Sequence, residues 1–392
     1  MDNGTEREKL FTALDAETTT RFSWLDQRAL KAYFGLVSTD RLSSHERDGL
    51  IGLVTSHAQL GRMRAPREDL VRVIGPTQTR EGWSMGATIV QTVTDDRAFL
   101  VESVVRTLES MGHHILEVVH PLLRVERDNE GAVTSMGADS GEVESWITIH
   151  IPRVEDAAEA GRIESSVLAV LDDLRDAVDD WGQMASLMRD LATSIQHEEF
   201  ANLLRWLTDD EFTFLGRIRY EIGADDQVRA DPSTALGLAR NHPDIADLPL
   251  DTSSRRDRWA NHEVLVVQGP RHSRVQRPGW QHIIAVKIAD EQGQWVAEER
   301  FVGLFAETMM TGPVSRVPVL RSIACRVLEH LGVQANSHAG RSLLHRLDEY
   351  PREALFHADV EDLAAGALGL RDSNHHSDAT LLLEVDPFEP VS

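Results

Sequence analysis

The order of elements between Ala87 and Val178 constrains this chain more than any other feature: strand, helix, strand, strand, helix. ATIVQTVT, from Ala87 to Thr94, is rich in β-branched residues and reads as a strand. After Asp95-Asp96, the segment AFLVESVVRTLESMG puts Phe99/Leu100, Val104 and Leu108 on one helical face, and Gly112 stops the helix. HHILEVVHPLLRVERD is a long strand, broken or bulged at His120-Pro121 because proline cannot donate a ladder hydrogen bond. Asn129-Glu130-Gly131 opens a loop, and SWITIHI then alternates Ile147, Ile149 and Ile151 against Thr148 and His150, a half-buried strand. A further helix carries Val167, Val170/Leu171, Leu174 and Val178 on one face. Such an order suits an α+β unit, an antiparallel sheet with helices packed on one side.

The flanks read differently. Residues 1–80 form a mainly helical, polar segment, with RALKAYFGLVS and Leu50–Leu60 as helices and Gly75-Pro76 as the turn that leaves it. Beyond the central unit (81–185), HEEFANLLRWLTDD supplies a connecting helix within 186–209. Phe212, Phe214, Ile218, Tyr220 and Ile222 then alternate with Thr213, Arg217, Arg219 and Glu221, a period-two strand. EVLVVQ, HIIAVKIA and ERFVGLF add strands to a second sheet unit over 210–310. In 311–365 a helix shows Leu320, Ile323, Val327 and Leu331 on one face, with Pro318 near its start and Gly332 at its stop. Asn336 or Ser337 caps the next helix, Leu343, Leu344 and Leu347 are its buried stripe, and Pro351 ends it. Residues 366–392 hold a polar linker, RDSNHHSD, and then an apolar strand in ATLLLEVDPFEPVS that ends abruptly, as if a longer protein had been cut.

Composition narrows the function classes. Forty Lys and Arg against 64 Asp and Glu leave a net charge of −24, which argues against nucleic-acid binding, since that needs a basic footprint. The single cysteine, Cys325, cannot form an internal disulfide; the sequence places it as a packed or boundary residue of a helix in a reducing, cytoplasmic setting. No secretory h-region or membrane-length apolar run is visible.

The literal wording of one stretch adds a name. RFVGLF (300–305), PVLR (318–321), LEHLG (328–332) and SHAGRSLLHRLDEYPREALF (337–356) together resemble the large bacterial NAD-specific glutamate dehydrogenases, in their N-terminal half. There, regulatory ACT-like domains and helices precede a distant catalytic domain. The resemblance implies two ACT-like, ferredoxin-like βαββαβ domains with antiparallel sheets, at 81–185 and 210–310, joined and flanked by helices. A DPF-containing strand opens a third such domain in the family, so 366–392 is expected to be its truncated start. The parent would convert L-glutamate and NAD to 2-oxoglutarate and ammonium. Other subunits of a homo-oligomer and the catalytic part would be this segment's partners.

Glutamate dehydrogenase chemistry needs cations at the substrate carboxylates, a lysine beside the reacting carbon, a carboxylate for proton transfer and a dinucleotide site. The chain has only Lys9, Lys31 and Lys287, and none sits by a glycine-rich loop. GxGxxG after a strand, GxxxxGK[ST] and GxSxG are all missing. The histidines of His113-His114 and His375-His376 are adjacent and point apart when extended, and His197-Glu198 lacks the second histidine of HExxH. No catalytic, cofactor or metal residue is therefore assigned, and NAD is expected only in the parent.

Two binding candidates remain. Asp95, Asp96 and Arg97 form the strand-to-helix turn where ACT domains bind amino-acid effectors; helix N-termini attract carboxylates. Against that, either aspartate can simply cap the helix, and the glycine favoured by ligand-binding ACT loops is missing. Arg255, Arg256, Arg258 and Trp259, with Arg271, Arg274 and Arg277, form a second candidate, a subunit contact. The acidic helix bearing Asp172, Asp173, Asp176, Asp179 and Asp180 would face it from another subunit. The expected function is thus a non-catalytic regulatory and oligomerisation segment; a free-standing amino-acid-sensing module and a small enzyme are the alternatives.

Overall fold

The structure, a computed structural model, describes residues 3–223, 227–248, 263–277 and 279–372. Helices α1 (Asn3–Arg21), α2 (Gln27–Tyr33), α3 (Thr39–Ser43) and α4 (Arg47–Gly61) come first. Asp26 and Ser38 cap α2 and α3, accepting from the N–H groups of Ala29 and Arg41. Residues 70–74 depart from the helical expectation. LVRVI forms strand β1 (Leu70–Ile74), antiparallel to β2 (Thr88–Asp95). Its two-residue alternation is too short to register alone, and only the partner strand makes it worth forming.

Next come α5 (Leu100–Ser110), β3 (Glu117–Val119), β4 (Leu122–Arg127), β5 (Val133–Met136), β6 (Glu142–Ile151) and α6 (Ala157–Leu191). The His120-Pro121 break separates β3 from β4, and both pair with β6. The path through this antiparallel sheet is β1-β2-β6-β4-β5. A βαββαβ unit would place a strand after its second helix at the edge beside β2. Here β1, from the N-terminal side, occupies that edge. The 35-residue α6, about 52 Å long at 1.5 Å per residue, instead runs on past residue 185 without a break.

Helix α7 (Glu198–Trp206) and a π turn, Leu207–Glu211, lead to the second sheet. Its strands are β7 (Phe212–Ile222), β8 (Val228–Gly237), β9 (Val264–His272), β10 (Trp280–Ala289) and β11 (Trp295–Phe305), in the antiparallel order β8-β7-β11-β10-β9. This corrects the expectation of a second βαββαβ domain. β9, β10 and β11 form a meander whose links are too short for a crossover helix, and antiparallel neighbours need only tight turns. The Asp290 carboxylate shapes one of them by accepting from the N–H groups of Gln292 and Gln294.

Strand β7 also departs from its simple alternation. The register slips where Val302 and Gly303 of β11 face Gly216 and Phe214. The extra residue, Leu215, reverses the faces. Phe212 and Phe214 point to the C-terminal helices, whereas Leu215, Ile218 and Tyr220 point to the core between the sheets.

The C-terminal helices are α8 (Glu307–Thr311), α9 (Leu320–His330), α10 (His338–Asp348), α11 (Arg352–Leu355) and α12 (Val360–Asp372). Gly332 (φ +63°) follows α9, and the Ser337 hydroxyl caps α10 by accepting from Gly340 N–H. Cys325 is exposed rather than packed. Helix extends through Asp372, so the polar linker starts later than residue 366; the strand expected after it lies outside the described residues.

Three cores stack the elements into layers. Helices α1–α4 cover the outer face of the first sheet around Leu30, Tyr33 and Trp146. The approach is close enough that a Cβ on Gly61 would sit 2.4 Å from the Trp146 ring. A central core joins Ile147, Ile149 and Ile151, helices α5 and α6, and Ile218, Ile283 and Val302 of the second sheet. The C-terminal helices cover that sheet's other face, around Phe214, Phe301 and Val327. Among the described residues no helix is long and apolar enough to cross a membrane.

Candidate functional site

The β2–α5 turn stands at the charged end of the first sheet. Register places Asp95 of β2 opposite Glu144 of β6. Like charges so placed repel, and Arg64 resolves the conflict by bridging them, pairing with Asp95 and with Glu144 Oε1 at 3.0 Å. Arg127 grips Glu144 with two nitrogens, at 2.7 and 2.9 Å, and the Trp146 indole N–H donates to it at 3.0 Å. Arg97 spans Asp69 (3.1 Å) and Asp95 (3.4 Å), and Arg175 of α6 closes on Asp69. Burial works against the charge on Asp95, but the hydrogen bond and charge of Arg64 and the charge of Arg97 outweigh it, so its carboxyl titrates below the usual value.

Neither aspartate caps α5. Asp95 ends β2, and Phe99 takes the N-cap position at φ +65° with no side-chain cap on the helix. Phe99 packs against the central core, which holds this uncommon backbone in place. The turn therefore combines a buried ion-pair network with a helix start that has no side-chain cap. Such a start favours negative charge.

Helix α5 is clasped from the second sheet. In the β9–β10 loop, Gln276 N–H donates to Ser103 Oγ at 2.9 Å, Val275 is buried in the central core, and Arg274 pairs with Asp173 of α6 at 2.6 Å. The arginines of the second candidate that are described have partners within the chain. Arg271 pairs with Asp244, and Arg277 donates to the Phe305 carbonyl at 2.5 Å. Within this chain the acidic helix already has partners. Asp180 accepts from Gly237 N–H (2.7 Å) and from two nitrogens of Arg240, Asp176 from Asn241 (2.8 Å), Asp179 from Arg67 and Asp172 from Arg175. Arg255, Arg256, Arg258 and Trp259 lie outside the described residues. Trp280 is exposed and meets His272 edge-on, with centroids 3.9 Å apart.

Other titratable groups gather on the opposite face of the first sheet. His57 Nε2 lies 3.0 Å from the Thr92 carbonyl, which can only accept, so that nitrogen carries the proton; Nδ1 accepts from Tyr33 OH at 2.8 Å. Burial pushes His57 down to about 3. His150 and His45 flank the Glu117 carboxylate at 3.5 and 3.3 Å, and Arg41 donates to it at 2.8 Å. Burial pushes His150 down to about 4, although Glu117 pulls it the other way. His113 lies in the link between α5 and β3, 3.1 Å from Glu159. Among the described residues no group of His, Cys, Asp or Glu is arranged to hold a metal ion. Arg64, Asp69, Arg127, Glu144 and Arg175 carry no motif. Their role rests on the β2–β6 register, and only the alternation of Glu144 with Trp146 on one face hints at it.

The family model of the glutamate dehydrogenase ACT1 domain matches residues 29–167, from within α2 through β1 and the first sheet into α6; that of the glutamate dehydrogenase helical motif 1 matches residues 317–373. The NAD-specific glutamate dehydrogenase of Halomonas elongata is 30% identical over 379 residues, covering 91% of this chain and 24% of that protein. That of Pseudomonas aeruginosa is 27% identical over 379 residues (91% and 23%), and that of Mycobacterium tuberculosis 26% over 361 (86% and 21%). The chain spans about a quarter of the length of the curated relatives it matches. With an ACT1 domain, a helical motif and sustained identity between them, it belongs to the large NAD-specific glutamate dehydrogenases.

Proposed function

We propose that this chain is a regulatory and assembly segment of a large NAD-specific glutamate dehydrogenase, itself non-catalytic, and that the β2–α5 turn is its effector-responsive element. On this reading the first sheet is an ACT-like domain in which β1 takes the place of the closing strand. The parent reaction is oxidation of L-glutamate with NAD to 2-oxoglutarate and ammonium. The catalytic part, where NAD would bind, and neighbouring cytoplasmic subunits are the partners.

One observation carries the regulatory reading: α5 starts at the turn and is fastened to the second sheet through Ser103 and Gln276. A shift of α5 caused by a bound effector is thereby passed to the other sheet, giving the differential contact that regulation requires. The non-catalytic reading is supported by the lysines. Lys31 is engaged with Glu8 at 2.8 Å, and Lys287 lies on β10 opposite Glu298, on a different element from the turn. The α5 start without a side-chain cap favours one further reading, a free-standing module that senses an amino-acid carboxylate.

Assay of the chain for NAD-dependent glutamate oxidation, with calorimetric titration of amino acids on the same preparation, tests both parts. The expected results are no turnover and binding heat from an amino acid. Turnover refutes the non-catalytic role, and absence of heat removes an amino-acid effector from the turn.

A further inference from the structure

The entry to α9 is held in a costly conformation. Val319 has φ +69° and ψ −56°, a region that β-branched residues occupy only under constraint. Leu320 N–H donates back to the Pro318 carbonyl at 2.9 Å. Residues 318–320 are thus a γ-turn of the rare, strained hand. They form most of the PVLR wording noted in the sequence.

The constraint on Val319 is visible on both sides. Glu199, in the first turn of α7, accepts from Val319 N–H at 3.1 Å and from Arg321 Nε and Nη2 at 2.9 and 2.7 Å. Hydrogen bonds from Arg321, then the Val319 N–H, hold its carboxyl below the usual range despite burial. The Val319 side chain is buried in the core that joins the second sheet to the C-terminal helices. Backbone and side chain are therefore pinned from opposite directions.

The far end of the α9–α10 hairpin is fastened differently. Arg352 donates to the carbonyls of Met310 (3.1 Å) and Gly312, Glu353 lies 2.6 Å from His282 Nε2, and His357 is 2.5 Å from the Val266 carbonyl. Among the described residues, positive φ at a non-glycine residue is confined here to Val319; none occurs from Leu320 to Asp372.

We propose that Glu199 is a latch on a strained hinge. Closed, it holds the γ-turn and seats α9 against α7 and the second sheet. Opened, it lets Val319 return to ordinary backbone angles and swings the start of α9 about the PREALFH attachment. The strain lowers the cost of opening, which marks this junction as a place where the helical motif can change position relative to the sheets. The latch is independent of any effector at the β2–α5 turn.

Hydrogen exchange on the full chain tests it, comparing wild type, Glu199→Gln, Val319→Gly and the double variant. Glu199→Gln is expected to speed exchange in the first turns of α9 about tenfold or more while β11 amides stay protected. Glycine at 319 removes both strain and apolar contact in the wild type, but only the contact once the latch is open. Its effect on exchange should therefore differ between the two backgrounds by more than roughly threefold, towards greater protection in the wild type. A ratio below roughly threefold, or of the opposite sign, overturns the latch. If Glu199→Gln does not fold, Arg321→Gln takes its place under the same criterion.

Discussion

Helix α6 joins two surfaces that solve the same electrostatic problem in different ways. Towards the first sheet, its Arg175 enters a network with Arg64 and Glu144 almost wholly withdrawn from water, their side chains 4% and 3% exposed. Towards the second sheet, its aspartates meet arginines that stay half in solvent, 57% for Arg274 and 50% for Arg240. A buried ion loses its hydration and depends wholly on its partners, whereas an exposed one falls back on water. The first junction withdraws both partners from water, whereas at the second only the arginine of each pair stays open to it.

The largest expected effect lies in the buried network. Glu144→Ala leaves Arg64 and Arg127 without their shared carboxylate and should cost about 3–5 kcal/mol by denaturant unfolding. A loss under about 1 kcal/mol would erase the difference between the two junctions.

Acid comes next, and it should strike the first-sheet side. His57 and His150 are held at about 3 and about 4, below the ordinary value of 6.5. The unfolded chain therefore binds more protons than the folded one between those values and 6.5. Their contribution is fully present above pH 6.5 and is lost as pH falls towards 4, at up to about 1.4 kcal/mol per pH unit for each histidine. Around His150 the facing groups are Glu117, which favours its charged form, and His45 and Arg41, which oppose it. Exchange measured at pH 5 should show β6 and α4 losing protection before β10 and β11. The reverse order contradicts this assignment.

Smaller changes separate the second-sheet contacts from one another. Asp180→Ala removes the acceptor of Gly237 N–H as well as the Arg240 pair, and about 1–2 kcal/mol should be lost. Arg274→Ala should cost only about 0.2–1 kcal/mol in stability. Exchange of the Gln276 amide, which donates to Ser103 Oγ, would then report whether the clasp on α5 has loosened.

Two strands show what could be read in advance. In β6 the alternation of Ile147, Ile149 and Ile151 against Thr148 and His150 is uninterrupted, and the isoleucines do face the helices. In β7 the same alternation is visible, yet one extra residue at Leu215 sends its two halves to different cores. Periodicity identifies a strand but not its bulges, because a bulge depends on the partner strand. The turn at Asp95-Asp96-Arg97 was legible as a turn. Its chemistry was not, since Arg64, Arg127, Glu144 and Arg175 reach it from elements far apart in the chain. For the arginines at 271, 274 and 277, charge pattern indicated a contact and named the acidic helix as a partner. The pattern placed that helix in another subunit, whereas the path of α6 brings it to Arg274 within the chain.

Local sequence determined most helices and several of their caps and stops, such as Ser337 and Gly332, the existence of most strands, and through its wording the enzyme family. These depend on residues within a few positions of one another. Tertiary structure decided that β1 closes the first sheet, that the second sheet is a meander-containing antiparallel unit rather than a βαββαβ repeat, that the acidic helix finds its arginines within its own chain, and that Val319 is held in a strained turn by a carboxylate 120 residues away. Each of these is a pairing between distant segments, and its energy appears only when folding brings the partners together.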